Sequence, residues 1–293
     1  MGIHEGIREG IQVGRLRYPV IATVAATVLA ISVPADAQPQ CSGDWMCINA
    51  VRESDNVELR AANLRDIPIT FTMKVRTRNM RADRPRTVTE TLGPKQSRLV
   101  MVLEPLHADR SGDYRISYDW TVGNKDAVHD ERQVYLLPYA PGMSYRVLQG
   151  YGSRFSHTGL EQFAVDFRMA EGTPVHAARG GLVARTEESN DIGCWDDGCG
   201  NHANFIVILH DDGTTGEYYH LQRNGVLVEP GDRVEAGQKI GLSGNTGHTT
   251  VPHLHFAVYR AAEWGTTQSI PVRFKSADGI VDQPRRGGRY LAN

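Results

Sequence analysis

The sequence predicts an all-β protein, and three observations carry that expectation. Helical periodicity is nearly absent along the 293 residues. Short runs of alternating β-formers recur at the spacing of antiparallel strands, and residues such as Gly93-Pro94, Ser111-Gly112, Gly123-Asn124 and Asp212-Gly213 punctuate them as turns. The expected architecture is an N-terminal antiparallel β-sandwich of immunoglobulin-like size, followed by a compact, barrel-like domain of antiparallel β-hairpins.

In chain order, residues 1–37 read as a signal peptide. Arg15 and Arg17 precede an apolar stretch from Val20 to Val33, which Pro34 and the small-residue triplet Ala35-Asp36-Ala37 follow. The run of 14 residues is short of the ~20 that span a bilayer, so cleavage after Ala37 is expected, with no stable membrane insertion afterwards. Gln38-Pro39-Gln40 ahead of Cys41 does not resemble a lipoprotein box. Export to a periplasm or the cell exterior follows. Cys41 with Cys47 and Cys194 with Cys199 are then two close pairs in an oxidising compartment, where disulfides are the default over a shared four-cysteine zinc site.

Residues 41–138 supply the sandwich through "NVELRAAN", "ITFTMKVRTR", "RTVTETL", "SRLVMVL", "DYRISYDWTV" and "RQVYLL". Lys74, Arg76, Arg78, Arg81, Arg84, Arg86, Lys95 and Arg98 crowd part of this region against only Asp83 and Glu90. A solvated outer face explains that alternation, with a docking surface for an anionic envelope polymer as the sharper reading. "LPYAPG", residues 137–142, reads as a linker. The second domain covers 139–275 through "GTPVHAARGGLVART", "NFIVILHDDGTTGEYYHL", "GDRVEAGQKIGLSGNTG" and "PHLHFAVYR", and 276–293 is expected to be a tail.

Composition narrows function little. With 40% hydrophobic and 23% charged residues, a net charge of −2 and a pI near 6.6, nothing draws the chain as a whole to nucleic acid. The histidines are more specific. In "VPHLHF", His253 and His255 are two residues apart, a spacing that turns both rings to one face of a strand. His157 and Asp166 occur in "SHTGLEQFAVDF" and His220 in "YYHL". Two histidines and a carboxylate give zinc three protein ligands and leave a fourth position for water, the pattern of a hydrolytic site. Tyr218 shares a strand face with His220 by the two-residue period, which would let it reach a substrate. His202, His210 and His248 are expected to be structural or solvent-exposed.

"SHTGLEQFAVDF", "GTPV", "HDDGTTGEYYHL", "VEPGDRVEAGQKIGLSGNTG" and "PHLHF" stand in the order and approximate spacing of the lysostaphin-type, LytM-like zinc endopeptidases, peptidase family M23, and the chain from about 141 to 260 resembles that family. The resemblance implies the duplicated hybrid motif fold, one Zn2+ on His157, Asp166 and His255, and catalytic roles for His220 and His253. It also implies a peptidoglycan substrate cut in a stem peptide or cross-bridge. The commoner motif separates histidine and aspartate by four residues where this chain has nine, so a bend must intervene; Thr158-Gly159 can supply it, and His176 is the alternative ligand. Two rivals stay open: a catalytically silent wall-binding or amidase-regulating protein, and a module in which zinc only holds the fold. The "VEPGDRVEAGQKIGLSG" hairpin is also similar to biotinyl and lipoyl carriers, but Lys239 lies within a strand instead of at an exposed turn.

Overall fold

The computed structural model describes residues 9–15 as backbone, and 38–196 and 198–293 with their side chains. The apolar run 20–33 and the expected cleavage point after Ala37 lie outside the described residues, while Glu9–Arg15 pairs antiparallel with Asp113–Val122. Among the described residues the helical segments are single 3-10 turns, Gly159–Glu161 and Cys199–His202, and no helix is long and apolar enough to cross a membrane. The fold is all-β, as expected. Two compact units are present, one running to Trp120 and including 263–265, the other holding 121–262 and 266–293.

The first unit contains two antiparallel sheets. One orders Gln40–Ser42, Met46–Glu53, Asn56–Asn63, Ser97–Pro105 and Met80–Ala82; the other orders Glu9–Arg15, Asp113–Val122, Ile69–Arg78 and Thr87–Leu92. Burial alternates along Asn56–Asn63 and Asp113–Val122, the signature of strands with one face in a core. Cys41 and Cys47 are register partners and form a disulfide, and Trp120 Nε1 donates to Ser42 Oγ at 2.8 Å. The crowded basic segment is largely neutralised from neighbouring strands: Arg78 pairs with Asp113, Arg81 with Glu104, Arg84 and Arg98 with Glu90, and Lys95 with Asp66. The linear count of charges included Glu90 but missed Asp113, Glu104 and Asp66, which lie outside the crowded segment and reach it through the fold.

The second unit is built on a long antiparallel sheet ordered Arg233–Val234, Gly181–Glu187, Phe205–Leu209, Thr215–Tyr219, Leu254–Ala261, Val165–Phe167, Ser144–Gln149 and Arg289–Leu291, with Thr267–Ile270 also paired to Leu254–Ala261. Phe205–Leu209, "FIVIL", is buried at every position, as a strand covered on both faces should be. Phe167, Tyr218, Phe256 and Phe274 form the centre of the core. A smaller sheet joins Pro174–His176, Lys239–Ser243 and Leu221–Val226.

Two boundaries differ from the linear reading. Val134–Leu136, expected as the last strand of the first domain, pairs in parallel with Arg273–Ser276, so the division between units falls at 120/121 and not near 138. The expected tail is folded, since Arg289–Leu291 pairs with Ser144–Gln149 and Ala292 is buried in the core. Both partnerships join segments more than 130 residues apart, which strand patterning cannot reveal.

Candidate functional site

Strand register brings the site together. Val165–Phe167 lies beside Leu254–Ala261 with Asp166 directly opposite His255, and Tyr219 is the partner of His255 on its other side. Directly paired residues project to one face, so a carboxylate and an imidazole meet without any special loop. His253 sits one residue before the strand, held by an isolated bridge to Gly244. His157 arrives from the loop between Ser144–Gln149 and Val165–Phe167, and its nine-residue offset from Asp166 is absorbed by the 3-10 turn that opens at Gly159, with φ of +58°.

His157, Asp166 and His255 are all buried, and their ligand atoms lie within 4.8 Å of one another. His255 Nδ1 is 2.9 Å from Asp166 Oδ1. His157 Nε2 is buried 3.2 Å from the same oxygen, within ion-pair range but with no hydrogen bond. His157 Nδ1 donates to the Gly150 carbonyl at 3.3 Å, which turns Nε2 inward. Burial would push the Asp166 carboxyl up, but His253 and His157 hold it well below the usual carboxylate range. Burial pushes the His255 ring down, and the carboxylates of Asp166 and Glu161 outweigh it and raise the ring to about 10. Positive charge is therefore favoured at this spot.

His220 and His253 complete the constellation, with ring centroids 4.5 Å apart. His220 follows Thr215–Tyr219 with φ of +65°, a conformation that costs a β-carbon-bearing residue of the order of 1–3 kcal/mol. That kink sends its ring into the site, where Nδ1 donates to Thr246 O at 2.7 Å. His253 Nδ1 donates to Val251 O at 2.7 Å, and its Nε2 is 3.8 Å from Asp166 Oδ1. In both rings the fixed Nδ1–H leaves Nε2 as the proton acceptor. Burial, followed by neighbouring histidines, holds His220 well below the ordinary value; burial lowers His253 as well, against the pull of Asp166.

Three further side chains escaped the sequence reading. Gln149 Nε2 donates to Asp166 Oδ2 at 2.7 Å and to Ser156 Oγ at 2.8 Å, tying the His157 loop to the carboxylate. Behind His255, Nε2 lies 3.2 Å from Tyr259 Oη and 3.6 Å from Glu161 Oε2, while Tyr259 donates to Glu161 at 2.5 Å. The period-2 pattern of "LHFAVY" puts Tyr259 on the His255 face, and that was the available signal.

The cluster opens into a cavity of about 390 Å³. Phe155, Trp195 and His248 form an aromatic wall, with Trp195 stacked on His248 at 3.9 Å and on Phe155 at 5.2 Å. The Cys194–Cys199 disulfide and a parallel pairing of Gly193–Cys194 with Gly247–His248 brace that wall. His248, expected to be structural or solvated, thus lines the cavity.

Tyr218 is a correction. It is fully buried in the core, and its hydroxyl accepts a hydrogen bond from Ala178 N at 2.8 Å. The face-sharing argument failed because the positive φ at His220 breaks the two-residue period between them. His176, the alternative ligand, lies outside the cluster and hydrogen-bonds Gly237 O at 2.7 Å.

The buried His157, Asp166 and His255 cluster, beside two further imidazoles on antiparallel strands, is a candidate metal centre, and comparison with known proteins bears on it. Residues 161–268 match Peptidase family M23, and it is this part of the chain that is similar to that family. The match contains Asp166, His220, His253 and His255 and begins four residues after His157. The peptidoglycan DD-endopeptidase ShyA of Vibrio cholerae is 34% identical over 131 residues, 43% of this chain and 28% of its own length. The glycyl-glycine endopeptidase ALE-1 of Staphylococcus capitis is 36% identical over 46% of this chain and 35% of its own. Lysostaphin of Staphylococcus simulans is 34% identical over 52% and 28% respectively. The chain thus spans about a third of the length of these relatives.

Proposed function

We propose that the protein is an exported zinc endopeptidase that hydrolyses peptide bonds of peptidoglycan. The observation that carries this reading is the convergence of three buried ligand atoms on one point, with two neutral imidazoles beside them. The residues fit zinc: His157 Nε2 is buried with no hydrogen bond, the donor set is two imidazoles and a carboxylate, and the charge favoured around His255 is positive. His157, Asp166 and His255 would hold the ion. When bound, zinc supplies a Lewis acid that lowers the pKa of water toward neutrality and polarises the scissile carbonyl.

The chain's own groups then manage position and protons. His220 and His253, each with Nε2 unprotonated, take the proton of the attacking water and return it to the leaving amine nitrogen, so that water and a peptide yield a carboxylate and an amine. Gln149 holds Asp166 in place, and Glu161 with Tyr259 fixes the orientation of His255. The relatives named peptidoglycan DD-endopeptidase and glycyl-glycine endopeptidase support a wall-peptide substrate. The two disulfides and a wall substrate support a location outside the cytoplasm.

The test is mass spectrometry of fragments released from purified peptidoglycan by the zinc-loaded protein, beside His253→Ala. New free amines at one type of peptide bond, absent with the variant, are expected. Silence from both proteins, with zinc still bound, would overturn the reading in favour of a wall-binding module.

A further inference from the structure

Next to the cavity lies a row of arginines that the linear sequence does not show. Arg146 is the register partner of Arg289 on one side, and on the other Arg168 donates its backbone N–H to Arg146 O at 2.8 Å. Three adjacent strands or strand ends therefore carry arginine side by side, all exposed. A fourth comes from the loop after Pro284, which packs so closely on Gly150 that an added β-carbon there would meet Pro284 O at 2.0 Å. That contact fixes the loop, and its Arg286 lines the cavity together with Arg146.

Like charges directly opposed across strands are destabilising. Elsewhere the protein relieves such crowding: Arg78, Arg81, Arg84, Lys95 and Arg98 all recruit acids. Among the described residues, Arg146, Arg168, Arg286 and Arg289 have no acidic partner, and Asp282, the acid closest in sequence to the loop, is engaged by Arg273. Arg289 donates only to the Ser144 carbonyl, at 3.4 Å. A cationic row without internal counter-charge, continuous with a substrate cavity, is complementary to an external anion. The guanidinium fork matches a carboxylate geometrically, and a peptide lying across the cavity presents carboxylates at the distance of a side chain or terminus from the bond that is cut.

We propose that Arg146, Arg168, Arg286 and Arg289 form a carboxylate-binding subsite that holds an acidic segment of the peptide substrate beside the catalytic cavity. The proposal rests on the endopeptidase reading for its substrate, and it assigns these residues to affinity, not to chemistry.

The test uses the full zinc-loaded chain and two probes: a cross-linked stem-peptide dimer with free carboxylates, and the same dimer with its carboxylates amidated. Cleavage of the free-acid form with kcat/KM about tenfold higher, through KM, is expected of an interaction made by exposed charge-assisted pairs. Raising salt from about 0.05 to about 0.5 M should shrink the preference, because the screening length falls severalfold. Arg146→Gln with Arg286→Gln should lose it at unchanged kcat and zinc content, and the matching lysine variants should restore part of it. Equal kcat/KM for the two dimers, or a preference that survives the double variant, overturns the subsite. If no protein cleaves either dimer, the endopeptidase reading fails separately, and calorimetric binding of the same two dimers still decides: equal affinities overturn the subsite, and a free-acid preference lost in the double variant sustains it.

Discussion

Two histidine and aspartate clusters occupy the second unit, one buried around Asp166 and one partly buried around Asp212, and they differ in what neutralises the carboxylate. Asp212 accepts from Arg179 Nη1 at 2.7 Å, His129 Nδ1 at 3.2 Å and Thr214 Oγ1 through its other oxygen at 2.6 Å. Burial raises that carboxyl, and these hydrogen bonds together take it well below the usual range. The cluster carries its own cation. Asp166 is instead approached by three imidazoles, with no arginine or lysine paired to it among the described residues. A buried nitrogen with no hydrogen bond does not alone mark the difference, since His210 Nε2 is another. What separates the two is the missing permanent cation: the same residue types are structural where arginine completes them and open to a metal where it does not.

The sharpest way to break this comparison is to neutralise each carboxylate in turn. Asp166→Asn should abolish zinc retention and cut activity by more than the ~100-fold that outer residues cost, with the fold kept. Asp212→Asn should leave zinc content unchanged and destabilise the unit by about 3 kcal/mol, because Arg179 is left half-buried and uncompensated. Metal analysis and urea unfolding on both variants decide it. Loss of zinc from Asp212→Asn would erase the distinction.

A second test uses His210, whose ring burial lowers to about 4. A depressed folded-state value means that the unfolded chain binds the extra proton first, so stability falls as pH drops from about 6.5 to about 4, by about 3 kcal/mol in all. Unfolding free energies at pH 7 and 4.5 should differ more in the parent than in His210→Gln. An identical pH dependence in the two proteins would remove His210 from the account.

The smallest effect concerns the groups behind His255. Glu161→Gln should weaken zinc binding about 10–100-fold, read by competition with a chelator, while the unfolding transition of the zinc-free protein moves little. An unchanged affinity would mean that Glu161 merely fills space against Tyr259.

Much of the molecule was legible because the relevant signals are local. "DYRISYDWTV" and "NVELRAAN" alternate at the strand period and are strands over those same residues. His253 and His255, two apart beside a strand, both reach the site. Gln149, Glu161 and Tyr259 were not legible, because a glutamine, a glutamate and a tyrosine gain meaning only from the atoms across from them. Tyr218 was misplaced by a single backbone angle at His220 that no side-chain pattern encodes.

By itself, then, the sequence determined the all-β class, the two cysteine pairings seen in the structure and the short motifs that hold the histidines, because alternation and close spacing act within a few residues. Tertiary structure alone decided which strand neighbours which, and with it the division at Trp120, the folded C-terminal strand, the self-neutralised Asp212 cluster and the arginine row beside the cavity. Register is a property of pairs of segments far apart in the chain, and charge balance depends on which pairs are made.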